Sequence, residues 1–578
     1  MLWLLGGLAL FSASRAISAD AEYASLRIEG LEDGPLLVNV RNTLPPLQLG
    51  CDAPAVRFVT YVRNAEERAR TALRALGHFN PRIESAVERD AAACPEVVMR
   101  IESGPPTRIE AVDIVIDGPF EHETSAQRFF ENLRLRVGDT LNQGDYDRAR
   151  DDLINRARAR GYLDARYSRR VLRVDTENNQ AFVELTLQSG ERYRFGTISA
   201  GQDILRPELI TRLMPVAPGD PYSSDGLAGI SSNLAASGYF SDVRVRPDID
   251  RREDGEIPVD VLLTPRKRTG YEFRVGYGTD TGARLRADVD RRWMNRRGHT
   301  WRSGVGLSQR IQSLDTVYSI PMRDPLTDKL DFFARISRED NNNIVSDAGT
   351  LGAQLSRTRN GWTQAVFSEY LFERSEYGGA GRQSSNFLLG GIRLGHRELD
   401  DPLFPTRGHS FNVKLQGAAE PLLSSTSLMQ AHVKGALAWP LGRMILKGRG
   451  EFGSTWVGTF RELPKSLRFF AGGDNSVRGY GYESLGPRNA NDQVVGGRHV
   501  LVVSGEAMMP VAGENVFGAI FVDSGNAFDS FKDMDLKTGA GVGVRYRSPI
   551  GMVRVDVAVP FNASSRSPRL HLGIGAEF

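Results

Sequence analysis

Chemistry in this sequence has few places to reside. The most concentrated is a glycine-rich segment with a single arginine, Gly472-Gly473-Asp474-Asn475-Ser476-Val477-Arg478-Gly479-Tyr480. Taken alone, such a segment is an exposed turn with a solvated side chain. A role for Arg478 requires acidic partners, and two stand at suitable places downstream. Glu506 lies in Leu501-Val-Val-Ser-Gly-Glu506-Ala-Met-Met-Pro510, on the strand face shared with Ser504. Asp523 lies in Phe521-Val522-Asp523-Ser524-Gly525, on the face opposite Ile520 and Val522. If the aliphatic neighbours face lipid, both carboxylates point into the lumen of a closed barrel. There a guanidinium fork makes charge-assisted hydrogen bonds of fixed direction, and such an anchor would pin a long loop folded inwards. The chemistry implied is binding and positioning.

Bond-making motifs are absent. The chain has no His-Glu-x-x-His run, no Gly-x-Ser-x-Gly elbow, no P-loop and no cysteine pair at zinc spacing. Gly276-Tyr-Gly278 and Gly541-Val-Gly543 lack the strand-to-helix setting of a nucleotide fingerprint and read as lumen-facing strand glycines. His299 and His409 both follow Arg-Gly turns, which points to structural roles. The sequence therefore predicts no enzyme, no cofactor and no metal. Its 73 basic residues nearly cancel its 71 acidic ones, which excludes the basic surplus of a nucleic-acid binder.

The elements that must position Arg478 begin with an export signal. Residues 1–19 combine a short apolar core with small residues and read as a signal peptide, with Ala16 or Ala19 as cleavage points; a buried or anchoring first helix is the alternative. Beyond the first twenty residues no apolar run reaches the roughly 20 residues of a transmembrane helix. Export makes a disulfide between the two cysteines, Cys51 and Cys94, an expectation. Two free buried thiols are the alternative.

A weak internal repeat fills the first half. Each copy is a helical stretch ending in glycine, an aromatic-containing turn, and then alternating residues. The copies are Ala72 to Gly77-His78-Phe79, Ile154 to Gly161-Tyr162, and Ser231 to Gly238-Tyr239-Phe240. Strand-like runs follow at Tyr167 to Val174 and Ala181 to Leu187, then at Val243 to Ile249 and Ile257 to Leu263. Leading strands stand at Arg108 to Ile116 and Phe195 to Ala200. This predicts three small α+β domains, at residues 20–104, 105–189 and 190–265.

From residue 266 to 578 helical periodicity gives way to strict alternation. Tyr271, Phe273, Val275 and Tyr277 alternate with charge and glycine, as do Val542, Val544 and Tyr546, and Val553, Val555, Val557 and Val559. The last run is Leu570, Leu572, Ile574, Ala576 and Phe578. Sustained alternation, export and a terminal aromatic residue predict a transmembrane barrel, because in lipid every backbone group must be paired internally. At about 20 residues per strand and connection, the antiparallel barrel would have about sixteen strands. Glycine turns are expected at Asn295 to His299, Pro405 to His409 and Ser548 to Gly551. Long polar loops are expected at Arg338 to Asp347 and Glu376 to Ser385.

Val477-Arg478-Gly479-Tyr480 and Phe521 to Gly525 resemble the two signatures of the outer-membrane assembly and secretion superfamily that includes BamA and the two-partner secretion transporters. These are a Val-Arg-Gly-aromatic loop and an aromatic-x-Asp-x-Gly strand. The resemblance implies that Arg478, Gly479 and Tyr480 meet Asp523 and Gly525 inside the barrel, with Glu506 as second acceptor. It also implies that the repeats are polypeptide-transport-associated (POTRA) domains in the periplasm. Three repeats before sixteen strands are similar to the translocation-and-assembly-module (TamA) branch.

What that branch implies is promotion of outer-membrane protein assembly, autotransporters included, through a weak barrel seam. The first strand (Tyr271, Phe273, Val275) must pair with the last (Gly573, Gly575, Phe578), and glycine weakens such pairing. Implied partners are a TamB-like inner-membrane-anchored protein docking on the periplasmic domains, client outer-membrane proteins and the lipid bilayer. A two-partner secretion transporter and a phospholipid conduit between the membranes are the rival readings.

Overall fold

The computed structural model describes residues 23–89, 94–341, 344–377, 381–549, 551–562 and 566–575. The proposed signal peptide and Phe578 lie outside them. The chain forms two compact units. One comprises residues 1–197, 218–226 and 248–258, and the other the remainder, so the third repeat contributes to both.

Each repeat is a strand, two helices and a hairpin. The first has β1 (Ser25–Glu29), α1 (Pro35–Thr43), α2 (Ala55–Ala75), β2 (Arg82–Glu88) and β3 (Glu96–Glu102). The second has β4 (Arg108–Asp117), α3 (Thr124–Glu131), α4 (Gln143–Ala159), β5 (Arg166–Asp175) and β6 (Gln180–Gln188). The third has β7 (Arg194–Gly201), α5 (Pro207–Leu213), α6 (Ser224–Ala236), β8 (Phe240–Pro247) and β9 (Glu256–Pro265). Sheet orders β1-β3-β2, β4-β6-β5 and β7-β9-β8 repeat one topology, with β1 and β4 parallel to the strands beside them. The second repeat shows why the pattern folds. Asn142 caps α4 by accepting from the Gly144 N–H at 2.9 Å. Tyr146, Ala149, Leu153 and Ala157 then turn one face of that helix onto the alternating Ala181, Val183, Leu185 and Leu187 of β6. In the first repeat Cys51 and Cys94 are joined as a disulfide.

The repeated glycine proves to be a joint between repeats. The Gly77 carbonyl accepts from the Thr107 N–H at 2.8 Å, directly before β4, and the Gly161 carbonyl accepts from the Tyr193 N–H at 2.9 Å, directly before β7. Both glycines are left-handed (φ 86° and 98°), as a helix C-terminus favours. Each also meets the following segment so closely that an added Cβ would lie 2.5 Å from the Leu141 carbonyl oxygen or 2.4 Å from that of Tyr222. The third copy behaves likewise one residue later, the Tyr239 carbonyl accepting from Arg266 N–H at 2.8 Å. Within the second unit the Tyr239 hydroxyl also donates to the Gly298 carbonyl at 2.6 Å. Burial there pushes the phenol up to about 12.

The remaining described residues close into one barrel of sixteen antiparallel strands. They are β10 (Thr269–Gly278), β11 (Gly282–Arg291), β12 (Thr300–Ser308), β13 (Ile311–Pro321), β14 (Asp328–Asp340) and β15 (Ile344–Arg359). Next come β16 (Trp362–Tyr377), β17 (Arg382–Leu399), β18 (Gly408–Ala418), β19 (Leu428–Leu441) and β20 (Met444–Val457). The last five are β21 (His499–Ala512), β22 (Val516–Phe528), β23 (Lys537–Ser548), β24 (Gly551–Pro560) and β25 (Arg569–Gly575). Alternation sorts the faces as the sequence predicts. Ile520, Val522, Val542 and Val544 are exposed on the outside, whereas Asp523, Arg545 and Asp556 are buried within. No described helix is long and apolar enough to cross a membrane.

Two expectations fail at the strand ends. The polar stretches 338–347 and 376–385 are not long loops: β14 runs to Asp340 and β15 resumes at Ile344, while β16 runs to Tyr377 and β17 resumes at Arg382. Their polar side chains serve another segment. Glu339 pairs with Lys465, and the Ser385 hydroxyl donates to the Glu462 carbonyl at 2.8 Å, both partners belonging to the long connection between β20 and β21.

Two outcomes are expected. Chain-entropy reasoning gives the Cys51–Cys94 bridge, with its 43-residue separation, about 4 kcal/mol of stabilisation. Exported protein should therefore run faster on non-reducing gels and resist thiol labelling, whereas two alkylatable thiols would contradict the pairing. Gly161→Ala should cost about 1–3 kcal/mol from backbone strain alone and expose the segment near Tyr193 to protease. An unchanged melting curve and cleavage pattern would remove the joint.

Candidate functional site

The connection between β20 and β21, residues 458–498, enters the barrel instead of standing above it. Arg478 is 2% exposed. Its Nε donates to Asp523 Oδ2 at 2.7 Å and its Nη2 to Asp523 Oδ1 at 3.0 Å, a bidentate pair. Its Nη1 donates to Glu506 Oε2 at 2.9 Å and to Asp556 Oδ2 at 3.2 Å. The guanidinium lies 3.4 Å from the centroid of the Phe521 ring, and the backbone N–H of Arg478 adds a bond to Asp523 Oδ2 at 3.1 Å. A second buried cation completes the cluster. Arg545 donates through Nη2 to Glu506 Oε2 at 2.7 Å and pairs with Asp556. Two guanidinium groups thus face three carboxylates, and Ser504 donates a further bond to Asp523 at 2.5 Å.

The backbone makes room for this approach. Gly479 is left-handed (φ 93°), and its N–H donates to His571 Nε2 at 2.9 Å in the last strand. A Cβ on Gly539 of β23 would lie 1.9 Å from the Arg478 carbonyl oxygen, and one on Gly525 2.6 Å from the Leu501 oxygen. Tyr480 packs against a buried apolar cluster that includes Phe469, Val477, Val500 and Val502.

The opposite flank of the loop is tied to other strands. Lys465, 3% exposed, lies between Glu339 and Glu483, with Glu483 at 3.0 Å. Fully buried Glu373 accepts from Ser346 at 2.7 Å, Ser375 at 2.9 Å and the Ser466 N–H at 3.3 Å.

The structure therefore brings Arg478, Glu506 and Asp523 into one cluster and adds Asp556 and Arg545, which sequence reasoning missed. The signal was present: both stand on the charged side of valine alternations in β24 and β23. The seam residues divide. Gly573 stands opposite Gly278, the one registered pair between β10 and β25 among the described residues. Among the described residues Tyr271, Phe273 and Val275 are registered with β11 alone, and Gly575 pairs with Met552 of β24.

Among the described residues two groups of three side chains hold donor atoms within 4.8 Å of one another, Asp280-Asp474-His571 and His396-Glu398-His409. In the first, both ring nitrogens of His571 are engaged by the chain itself, Nδ1 with Asp474 and Nε2 with Gly479. In the second, His396 and His409 bond each other at 3.0 Å.

Residues 294–578 match the Omp85 superfamily domain. Residues 25–103 match the TamA domain 1 type of POTRA domain, and residues 108–190 and 193–266 match the POTRA surface-antigen repeat. The chain belongs to the Omp85 superfamily. It is 22% identical over 389 residues to the outer membrane protein assembly factor BamA of Nitratidesulfovibrio vulgaris, covering 64% of this chain and 49% of that one. It is 22% identical over 462 residues to BamA of Neisseria meningitidis serogroup B, covering 72% and 57%. The chain thus spans about half the length of these relatives. The crystal structure of Haemophilus ducreyi BamA lacking POTRA domains 1–3 superposes with a TM-score of 0.69 at 16% identity, over 81% of this chain and 99% of that one. As an Omp85 protein the chain is not an enzyme, and it is an outer-membrane barrel with its POTRA domains in the periplasm. Turns such as 295–298 then lie on the periplasmic side and the 458–498 loop starts from the outer side.

Removing one partner of a buried ion pair costs about 3–5 kcal/mol. Arg478→Ala should therefore free the loop to external protease and lower the temperature of the heat-modifiable gel shift. Arg478→Lys should rescue little, since an ammonium cannot make the bidentate pair. Unchanged protection in both variants would exclude the anchor.

Proposed function

We propose that this Omp85 protein promotes insertion of outer-membrane proteins, autotransporters among them, by pairing client strands at the seam between β10 and β25. The observation that carries this reading is the contrast in pairing. β10 is in register with β11 from Thr269 to Gly278, and β24 with β25 from Met552 to Ala558, yet β10 is registered with β25 only at Gly278–Gly573 among the described residues. A strand edge so thinly occupied can accept an incoming strand by β-augmentation. Tyr271, Phe273 and Val275, all strongly exposed, line that edge.

The loop anchored by Arg478 fills part of the lumen, which favours a route along the seam over passage through the centre of the barrel. Sheet edges of the POTRA domains offer further pairing sites. A TamB-like inner-membrane-anchored partner is assigned to them by resemblance to the TamA branch, which the match of the first repeat to TamA domain 1 supports.

Locking the seam tests the reading. Cysteines replacing Gly278 and Gly573 would face each other: a Cβ at 278 makes only ordinary contacts, and one at 573 meets the flexible Arg554 side chain. The oxidised barrel should keep its heat-modifiable mobility, lose insertion of a client barrel into liposomes, and regain it with reductant. Single-cysteine variants under the same reductant are the control. Full insertion by the locked protein would show that clients do not enter here, and loss of phospholipid transfer with intact insertion would favour the conduit.

A further inference from the structure

The luminal loop is bonded on both sides of the seam. Arg478 holds it to Glu506 of β21, Asp523 of β22 and Asp556 of β24, all on the C-terminal side. Asp474, only four positions earlier, reaches the other way. Its carboxylate accepts from the Thr279 hydroxyl at 2.8 and 3.0 Å and from the Asp280 N–H at 3.3 Å, in the turn that follows β10. The same carboxylate bonds His571 Nδ1 of β25 at 2.6 Å. Because Nε2 of that ring accepts from the Gly479 N–H, its hydrogen sits on Nδ1 and is donated to Asp474. The Asp474 N–H in turn donates to Asp280 Oδ2 at 2.6 Å. Thr279 completes the bridge, its N–H donating to the Leu572 carbonyl at 3.1 Å and its hydroxyl oxygen accepting from the Leu572 N–H at 3.0 Å. Asp474 and His571 are both nearly fully buried.

We propose that Asp474 is a positioning residue that clasps the outer end of the seam. By holding Thr279 and His571 at once, it makes the luminal loop an element that keeps the outer ends of β10 and β25 together. The physical reason is the balance of bonds. Among the described residues strand pairing contributes one registered glycine pair and the Thr279–Leu572 backbone bond, whereas the clasp adds charge-assisted bonds to a buried carboxylate, which are about twice as strong as neutral ones. The loop would then sense and control the seam: a client or partner that shifts residues 472–480 releases the outer end without touching either strand. The inference rests on the seam being the working edge of the barrel.

Spin labels on Tyr277→Cys and Leu570→Cys, both exposed positions flanking the seam, report its width by pulsed electron resonance in the full-length protein in nanodiscs. The native cysteines are bridged to each other and do not label. With Asp474 intact the distance distribution should be single and narrow. Asp474→Ala should raise the separated population by about ten-fold or more, the loss expected for hydrogen bonds to a charged group. Thr279→Val, which removes the hydroxyl and keeps the shape, should do the same and decides the matter if Asp474→Ala does not fold. Asn475→Ala, which removes a neighbouring side chain bonded to Arg554 of β24, should leave the seam narrow. An unchanged distribution in Thr279→Val and in any folded Asp474→Ala overturns the clasp, as does equal widening in Asn475→Ala, which would assign the effect to lost loop order. Widening without any change in client insertion would keep the clasp and remove the insertion reading. An unwidened seam whose disulfide lock still abolishes insertion would do the reverse.

Discussion

Arg478 carries a permanent charge at 2% exposure, and a charge so placed is tolerated only where acceptors of fixed direction surround it. That constraint reaches far along the chain. It requires acidic residues on the inner faces of three different strands, β21, β22 and β24, and a second guanidinium, Arg545, to keep Glu506 and Asp556 from facing one another unpaired. It requires glycine on β23, where the Arg478 carbonyl passes within reach of the backbone. It also obliges the 458–498 connection to cross the barrel, because Lys465 and Ser466 are tied to Glu339 of β14 and Glu373 of β16 on the opposite wall. The loop is thereby strung between two sets of strands, and its middle, at Asp474, lies over the seam.

This placement follows from the properties of lipid as a solvent. A strand edge inside a bilayer leaves N–H and C=O groups without water, at several kcal/mol each. A barrel therefore closes along its whole length unless something else holds its ends. Here the registered pairing across the seam is confined to Gly278 and Gly573 among the described residues, and side chains take over at the outer end. Glycine on both strands suits that division. It contributes no cross-strand side-chain contact, so the cohesion at that level comes from the backbone pair and from Thr279, Asp474 and His571 beside it.

Much of this was legible in the sequence, and the failures have physical causes. Alternation reported faces correctly: Asp523 opposite Ile520 and Val522 is buried, and its neighbours are exposed. The repeat glycines marked helix ends at Gly77, Gly161 and Gly238, although the sequence did not reveal that the first two also accept a hydrogen bond from the next repeat. Period-two alternation says which side of a strand a residue faces and nothing about its height in the barrel or its neighbour across the lumen. Asp556 and Arg545 were therefore visible as inward charges, and their place in the Arg478 cluster was not. The polar runs near Arg338 and Glu376 misled for a related reason. Charge there signals contact with an inward loop as readily as contact with water, and composition cannot separate the two. His571 stood on the face opposite the apolar run of the last strand, and alternation could not show that it meets Asp474 and Gly479.

The coupling between loop and seam has an asymmetry that bears on how the barrel would open. On the C-terminal side the loop is fixed by five charged groups, each sharing partners with the others, so releasing one leaves buried charge behind and the rest resist. Against β10 it is fixed at Asp474, whose carboxylate accepts from the Thr279 hydroxyl and the Asp280 N–H and whose own N–H donates to Asp280. Parting the seam at Thr279 leaves the Arg478 cluster intact and strands far less charge than parting the loop from β22 would. The weaker attachment is thus on the first strand, and β10 is the strand whose edge carries Tyr271, Phe273 and Val275 exposed and, among the described residues, without a registered partner on β25. On the proposed reading, a barrel so arranged would yield first at β10 and keep its loop, and a client strand adding to that edge would restore the backbone pairing that lipid demands.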